Sequence, residues 1–368
     1  MLSLFSVISL IDFVFLNYYS SWFTFYVCHS PLNPVYLYNY YCYSSVSKNL
    51  IMRILVSTRL FDEGFEELME NFEVVFPKKE LFTKQEVINI ISGFDGFIST
   101  FQFKMDKEVI EAAKGRVKII ANYGVGYNNV DVDYATQCGI VVTNTPNPVI
   151  EPTAELALAL MLAAARRLGE CDRKMRIPEG LKWGVMQNLG QSLYGKTLGI
   201  IGMGRIGQAL ARRALGCGMK IVYNNRTKLA PEIENRYQAR RIELNELLKL
   251  SDVISVHTPL TEDTFHLIDN NSFMQMKPTA ILINTSRGPV VDEAALVIAL
   301  KNRVIAAAGL DVFENEPVIS PDLFDLDNVI LAPHNGTGTV DARIEMSRFV
   351  SQNIIRYFDG RTDIAKVN

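Results

Sequence analysis

The 368-residue chain has no C-x-x-C pair, and its cysteines are odd in number, five (Cys28, Cys42, Cys138, Cys171, Cys217). Neither a disulfide framework nor a zinc ribbon is therefore indicated, and a reducing, cytoplasmic setting is the simplest expectation. An excess of cations is also missing: Lys plus Arg number 37 against 40 Asp plus Glu, for a formal charge of -3, so nucleic acid is not an expected partner. No cluster of His, Cys and carboxylates has metal-ligand spacing, and no metal is expected. Hydrophobic residues at 48% and charged residues at 21% lie close to ordinary globular usage, which argues against general disorder. The length suits two domains with a sizeable core.

A local absence sets off the beginning of the chain. From Phe13 to Ser47 there is no Asp, Glu, Lys or Arg, and the first Lys or Arg is Lys48. A secretory signal needs a basic start and a small-residue cleavage site, and neither is clear here. A spanning helix would carry Asp12 near its middle, costing about 2.5 to 3.5 kcal/mol, without positive flanks. A membrane is accordingly not an expected partner. A strand pattern starts directly after Met52, which reads as the natural first residue, with residues 1–51 an extension outside the fold.

From Met52 onward, short β-branched runs alternate with amphipathic segments, the pattern of parallel sheets with helices on both faces. Strands are expected in Arg53–Thr58, Phe72–Phe76, Gly96–Thr100, Val117–Gly124 and Ile140–Pro146. A long Ala/Leu helix from Thr153 to about Leu168 then connects to a second series: Lys196–Gly202, Lys220–Asn224, Asp252–His257, Ala280–Ser286, Ile305–Asp311 and Asn328–His334. The fold class is α/β with two doubly wound parallel sheets. The segment Thr339–Phe358 reads as a helix able to return to the first sheet. The long helix is apolar on several faces, more than one domain can cover, which predicts a homodimer through it. Trp183 is expected to pack near the domain junction, His266 and His29 show no partner pattern, and Lys78–Glu80 reads as a solvated face.

The segment GMGRIG (Gly202, Met203, Gly204, Arg205, Ile206, Gly207) follows one strand and opens a helix. In that context it is a dinucleotide fingerprint: Gly202 for the tight turn, Gly204 for close backbone approach to pyrophosphate, Gly207 for helix-on-strand packing. The helix N-terminus adds free N–H groups and positive dipole. An acid about 20 residues on would bind the ribose 2′-hydroxyl of NAD. Between Lys220 and Ala230 there is none. Asn225, Arg226 and Thr227 stand there instead, and Arg226 with Thr227 suits a 2′-phosphate, so NADP is the preferred cofactor, with NAD possible. The plainer alternative is a solvated Arg226 stacking on adenine in either cofactor.

Three further strand ends carry Arg287 (TSRG), Glu316 (ENEP) and His334 (APHNG). Carboxyl ends of strands face the ligand crevice in open α/β sheets. Together they match what hydride transfer to a 2-keto acid needs: a cation for the carboxylate, a proton donor for the developing alkoxide, and a group that keeps the donor protonated. A carboxylate beside an imidazole favours the imidazolium.

These residues sit in longer segments: NYGVGYNNVD (Asn122–Asp131), TPNPVIEPTAELALALML (Thr145–Leu162), GKTLGIIGMGRIGQALA (Gly195–Ala211), HTPLTEDT (His257–Thr264), LINTSRGPVVDEAAL (Leu282–Leu296), AGLDVFENEP (Ala308–Pro317) and APHNGTGT (Ala332–Thr339). In them the chain from Met52 onward resembles the D-isomer-specific 2-hydroxyacid dehydrogenase family, and looks most like its glyoxylate/hydroxypyruvate and 2-ketogluconate reductases. The resemblance implies a D-specific oxidoreductase acting on a small 2-keto or 2-hydroxy acid. Arg287 then binds the carboxylate and polarises the carbonyl, His334 is the acid and base, and Glu316 pairs with it. The backbone N–H groups of Val125 and Gly126 match a second carboxylate contact. Arg205 and Ile206 match the pyrophosphate turn, His257, Thr258 and Pro259 the loop beside the adenosine, and Thr264 a phosphate contact. Thr285, Ser286 and Asp311, with Arg287, His334 and Gly336 nearby, match positions around the nicotinamide. Thr153 matches a hinge contact or simply a helix cap.

The implied organisation is a Rossmann dinucleotide domain (154–335) inserted into a discontinuous flavodoxin-like substrate domain (52–153 and 336–368). Formate oxidation pairs the histidine with Gln, which Glu316 contradicts. Phosphoglycerate oxidation and a dinucleotide-sensing corepressor of the same fold are the alternatives.

Overall fold

Val, Ile and Leu runs that can be buried on both faces are what a parallel sheet requires, and two such sheets form. The computed structural model describes residues 51–368; the expectations for residues 1–50, including the anchor and the Asp12 argument, lie outside the described residues. The first sheet has order β2-β1-β3-β4-β5, all parallel: β1 (Arg53–Val56), β2 (Glu73–Val75), β3 (Gly96–Thr100), β4 (Ile119–Tyr123) and β5 (Val141–Thr143). Between them lie α1 (Glu66–Asn71), α2 (Lys84–Ile90), α3 (Lys107–Ala113) and α4 (Val132–Gln137). Strand alternation sends Leu55, Phe97, Ile120 and Val142 to the side of α2 and α3, and Ile54, Val56, Ile98 and Ile119 to the side of α1.

After β5, α5 (Ile150–Ala165) and α6 (Leu168–Met175) lead to the second sheet. The continuous helix expected from Thr153 to Leu168 is thus two helices, broken at Arg167, whose φ of 54° is left-handed. It also starts earlier than expected, because Pro152 in the first turn forfeits no helical hydrogen bond. Ala154, Ala157, Leu160, Met161 and Ala164 bury one stripe of α5 at helical spacing. Gly309 makes room for it, since a Cβ there would stand 2.9 Å from Leu160 Cβ.

The second sheet has order β12-β11-β10-β9-β6-β7-β8: β6 (Thr197–Ile201), β7 (Lys220–Asn224), β8 (Ala239–Arg241), β9 (Val253–Val256), β10 (Ile281–Asn284), β11 (Ala307–Leu310) and β12 (Val329–Leu331). Strand β8 was not expected: its Ala-Arg-Arg composition is legible only as the edge that it occupies. Helices α7 (Arg205–Gly216), α8 (Pro231–Tyr237), α9 (Leu244–Leu250), α10 (Asn270–Gln275) and α11 (Glu293–Lys301) complete this part. Helix α12 (Val340–Phe358) returns, as expected, and buries Met346, Val350 and Ile354 against Ile54, Ile98 and Ala121 of the first sheet. Tyr123 fastens it by donating its hydroxyl to the Arg343 carbonyl at 2.5 Å. Among the described residues, no helix is long and apolar enough to cross a membrane.

Candidate active site

The chemistry-bearing residues stand where strands end. Arg287 follows β10 by three residues, and Asn284, buried at the end of that strand, shapes its turn. Asn284 Nδ2 donates to the Arg287 carbonyl (3.0 Å), while Asn284 Oδ1 accepts from Ser286 N (3.0 Å) and Ser286 Oγ (2.8 Å). The Arg287 guanidinium donates to the Ser286 carbonyl at 2.6 Å and lies against Gly126, where any Cβ would overlap it. Burial pushes its pKa down from the usual arginine value, and the Glu316 charge opposes that.

The loop after β4 is pinned in the same way. Asn122, 1% exposed, donates through Nδ2 to the carbonyls of Gly124 (3.1 Å) and Gly126 (3.0 Å), and Asn144 Nδ2 donates to the Val125 carbonyl (2.8 Å). With the carbonyls turned inward, the N–H groups of Val125 and Gly126 have no acceptor among the described residues. They are free donors beside a half-buried guanidinium, a setting for a carboxylate.

His334 follows β12 with φ 52°, a left-handed conformation that is uncommon for a side-chain-bearing residue and that here tracks the active-site turn. Asp311 enforces it: its carbonyl accepts from His334 N, and its carboxylate accepts from Asn335 N and Gly336 N, each at 2.8 Å. Burial pushes the Asp311 carboxyl upward despite those bonds. His334 Nδ1 lies 2.6 Å from Glu316 Oε2, and Glu316 Oε1 accepts from Phe313 N at 2.9 Å. Burial works to raise the Glu316 carboxyl, but the bond and charge of His334 win and hold it below the usual glutamate range. An ionised carboxylate on Nδ1 sets the imidazole's orientation and leaves Nε2 for a proton transfer.

Around the glycine-rich turn the three glycines divide as their spacing implied. Gly202 has φ 92°, and a Cβ there would come within 2.8 Å of the His257–Thr258 backbone. At Gly207 a Cβ would stand 2.7 Å from the Gly202 carbonyl, whereas at Gly204 it would meet nothing within 4 Å. Helix α7 opens on Gly204, with no side chain capping its first N–H groups. An open cradle, an uncapped helix start and the buried, unpartnered Thr285 Oγ1 all fit a bound dinucleotide.

Other expected residues are held mainly by the protein itself. Asn225 Oδ1 accepts from Met203 N at 2.6 Å, and Arg205 donates to Asn147 Oδ1 at 2.5 Å. Ile206 is half-buried and packs toward both sheets. Thr264 Oγ1 donates to the Pro259 carbonyl (2.7 Å), as does Thr258 Oγ1 (3.2 Å), so both hydroxyls close their own loop. His257 shares a hydrogen bond of 2.8 Å with Ser255, and burial pushes its pKa down to about 4, so it stands neutral. Thr153 is buried, with its side chain 3.4 Å from where a Gly336 Cβ would lie. Arg226 and Thr227 are exposed at the end of β7, away from any such packing.

Trp183 is 86% exposed rather than packed at a junction, against expectation. His266, which shows no partner pattern in the sequence, meets Glu314 Oε1 at 2.9 Å, an ion-pair geometry between residues 48 apart that local spacing does not reveal. Phe101 was also missed: its ring stacks on His334 with centroids 4.4 Å apart at 28°. No motif marks it, but Asn122 and Asn284 could have been found, because a buried amide inside an apolar strand demands nearby partners.

A parallel sheet ending in a dinucleotide cradle, set against a His–Glu pair and a half-buried Arg, defines a nicotinamide-dependent oxidoreductase. The profile of the D-isomer specific 2-hydroxyacid dehydrogenase NAD binding domain matches residues 158–336. A glyoxylate reductase of Thermococcus onnurineus is 44% identical over 321 residues, 86% of this chain and 96% of the relative. Among solved structures, a Thermus thermophilus protein superposes with a TM-score of 0.80 at 40% identity, covering 86% of this chain and 100% of its own. An NADPH-dependent glyoxylate/hydroxypyruvate reductase of Sinorhizobium meliloti, in complex with NADP and malonate, gives a TM-score of 0.76 at 34% identity, with 86% and 96% covered. The chain belongs to the D-isomer-specific 2-hydroxyacid dehydrogenases.

Proposed function

We propose that this dehydrogenase is an NADPH-preferring, D-specific reductase of small 2-keto acids, glyoxylate and hydroxypyruvate foremost. The observation that carries this reading is the convergence of the Arg287 guanidinium, the free N–H groups of Val125 and Gly126, and the His334–Glu316 pair. Arg287 and the two amides hold the substrate carboxylate, and the guanidinium polarises the neighbouring carbonyl. A bound dinucleotide supplies the hydride. His334 gives its Nε2 proton to the oxygen that becomes the hydroxyl, while Glu316 on Nδ1 holds the ring in place; in the oxidative direction the same nitrogen takes the proton back. Phe101, flat against the imidazole, supports a short substrate over a bulky one. The glyoxylate reductases among the relatives support the same choice.

Preference for NADP is supported by the exposed Arg226 and Thr227 and by the missing acid at the end of β7. We read 52–153 with 336–368 as the substrate lobe and 154–335 as the cofactor lobe, closing over the ligands to exclude water. A homodimer is supported by the apolar side chains between α6 and β6, where Val185 is 92% exposed and Met186 76%. The unpaired thiols of Cys138, Cys171 and Cys217 agree with a cytoplasmic setting.

The test is oxidation of NADPH and of NADH by the full chain, followed by nicotinamide absorbance, against glyoxylate, hydroxypyruvate, pyruvate, 2-ketogluconate and phosphohydroxypyruvate. Turnover of the smallest acids with NADPH is expected. Turnover of phosphohydroxypyruvate alone would replace the reading with the phosphoglycerate one, and dinucleotide binding without any turnover would favour a sensing role.

A further inference from the structure

The corner formed by the ends of β7 and β8 carries four cations, Arg226, Lys228, Arg240 and Arg241, and the structure treats them differently. Lys228 lies 3.4 Å from Glu234, and Arg240 is 3.4 Å from Glu246. Each of these two has a carboxylate neighbour and no bond to the β7 loop. Arg226 has no carboxylate partner among the described residues. Arg241, on the edge strand opposite Tyr223, donates through Nε to the Asn225 carbonyl at 3.1 Å, one peptide before Arg226. Its only carboxylate neighbour among the described residues is Glu243 at 3.5 Å, itself 78% exposed, and the Arg241 side chain keeps 32% of its surface open.

The loop between these cations is fixed. Asn225 Oδ1 accepts from Met203 N in the glycine-rich turn, Asn224 Nδ2 donates to the Ile242 carbonyl at 2.9 Å, and Leu229 N donates to the Tyr223 hydroxyl at 3.0 Å. A loop tied at both ends, with one uncommitted guanidinium on its crest and another bound beneath it, is preorganised for a doubly charged anion. We propose that Arg241 is the second cation of the 2′-phosphate site, binding that phosphate together with Arg226 and Thr227. This rests on the NADP reading above, and it places part of cofactor selection on the edge strand β8, beyond the β7 turn where the fingerprint locates it.

The experiment is calorimetric binding of 2′,5′-ADP and of 5′-AMP to the full chain, which needs no turnover. Wild type decides the underlying reading: equal affinity for the two would mean no 2′-phosphate site exists, and both proposals would fall. Given tighter binding of 2′,5′-ADP, Arg241→Gln should weaken it about tenfold, the scale of one charge-assisted hydrogen bond, with 5′-AMP unchanged. Arg241→Lys should recover part of the loss, and Glu243→Gln should tighten 2′,5′-ADP by releasing the guanidinium. If Arg241→Gln weakened both nucleotides equally, Arg241 would be only a prop for the loop and the proposal would fail while the NADP reading stood.

Discussion

The two ends of the cofactor domain solve the same problem of presenting charge in opposite ways. At the ends of β10 to β12, Arg287, Glu316 and His334 are each fixed by protein hydrogen bonds; the side chains of His334 and Glu316 keep only 24% and 28% of their surface open, and His334 holds the Glu316 carboxyl below the usual glutamate range. At the ends of β7 and β8, Arg226 and Thr227 are exposed and their side chains make no hydrogen bond among the described residues, while the loop that carries them is fastened through Asn225, Leu229 and the half-buried Arg241. Burial makes electrostatics strong and geometry exacting, as proton transfer needs; exposure makes each charge weaker and replaceable, as a choice between two cofactors tolerates. Substitutions at the first end should therefore cost rate, and at the second should shift preference.

The largest expected effect is at the buried end. His334→Ala should lower kcat on the keto acid by about 10² to 10⁴ with dinucleotide affinity nearly intact, measured by steady-state kinetics and by titration of the cofactor. An unchanged rate would remove His334 from the chemistry.

Next comes a histidine lying between the two ends. Burial pushes His257 down to about 4 from 6.5, so from pH 6.5 to about 4 the unfolded chain takes up a proton that the folded chain refuses. The stability tied to its neutral form is full above 6.5 and is lost as the pH falls through that window, up to about 3 kcal/mol. Urea melts at neutral and mildly acidic pH should show a shallower acid loss for His257→Gln than for wild type; parallel losses would mean that His257 is not the group being protonated.

Gly126→Ala tests the exactness of the buried end without removing a charged group. The added Cβ overlaps the Arg287 guanidinium, and displacing that group by about an ångström should cut kcat/KM for the keto acid about 10²-fold. Wild-type kinetics in this variant would show that Arg287 does not need its place against the loop. The smallest effect belongs to the exposed end. Arg226→Asp should move the ratio of NADPH to NADH efficiency about tenfold toward NADH, with kcat little changed. If kcat collapsed instead, the contrast between the two ends would be wrong.

Periodicity alone placed almost every strand, because parallel strands buried on two faces must read as β-branched runs, and β3 and β7 lie where those runs do. Glycine spacing likewise located the cradle, since a φ of 92° at Gly202 and the packing at Gly207 are requirements of the backbone itself. What local sequence did not carry was pairing over distance. Phe101 on His334, His266 with Glu314 and Arg241 beneath Asn225 each join segments that only the tertiary fold makes neighbours. The break at Arg167 belongs with them, because Arg is a good helix former and its identity gives no sign of the left-handed φ found there. The sequence by itself determined the two sheets and the residue types at their strand ends, which follow from burial and backbone geometry. The tertiary structure alone decided which of those charges are paired and which are left free, because pairing needs neighbours that only the packed sheets bring together.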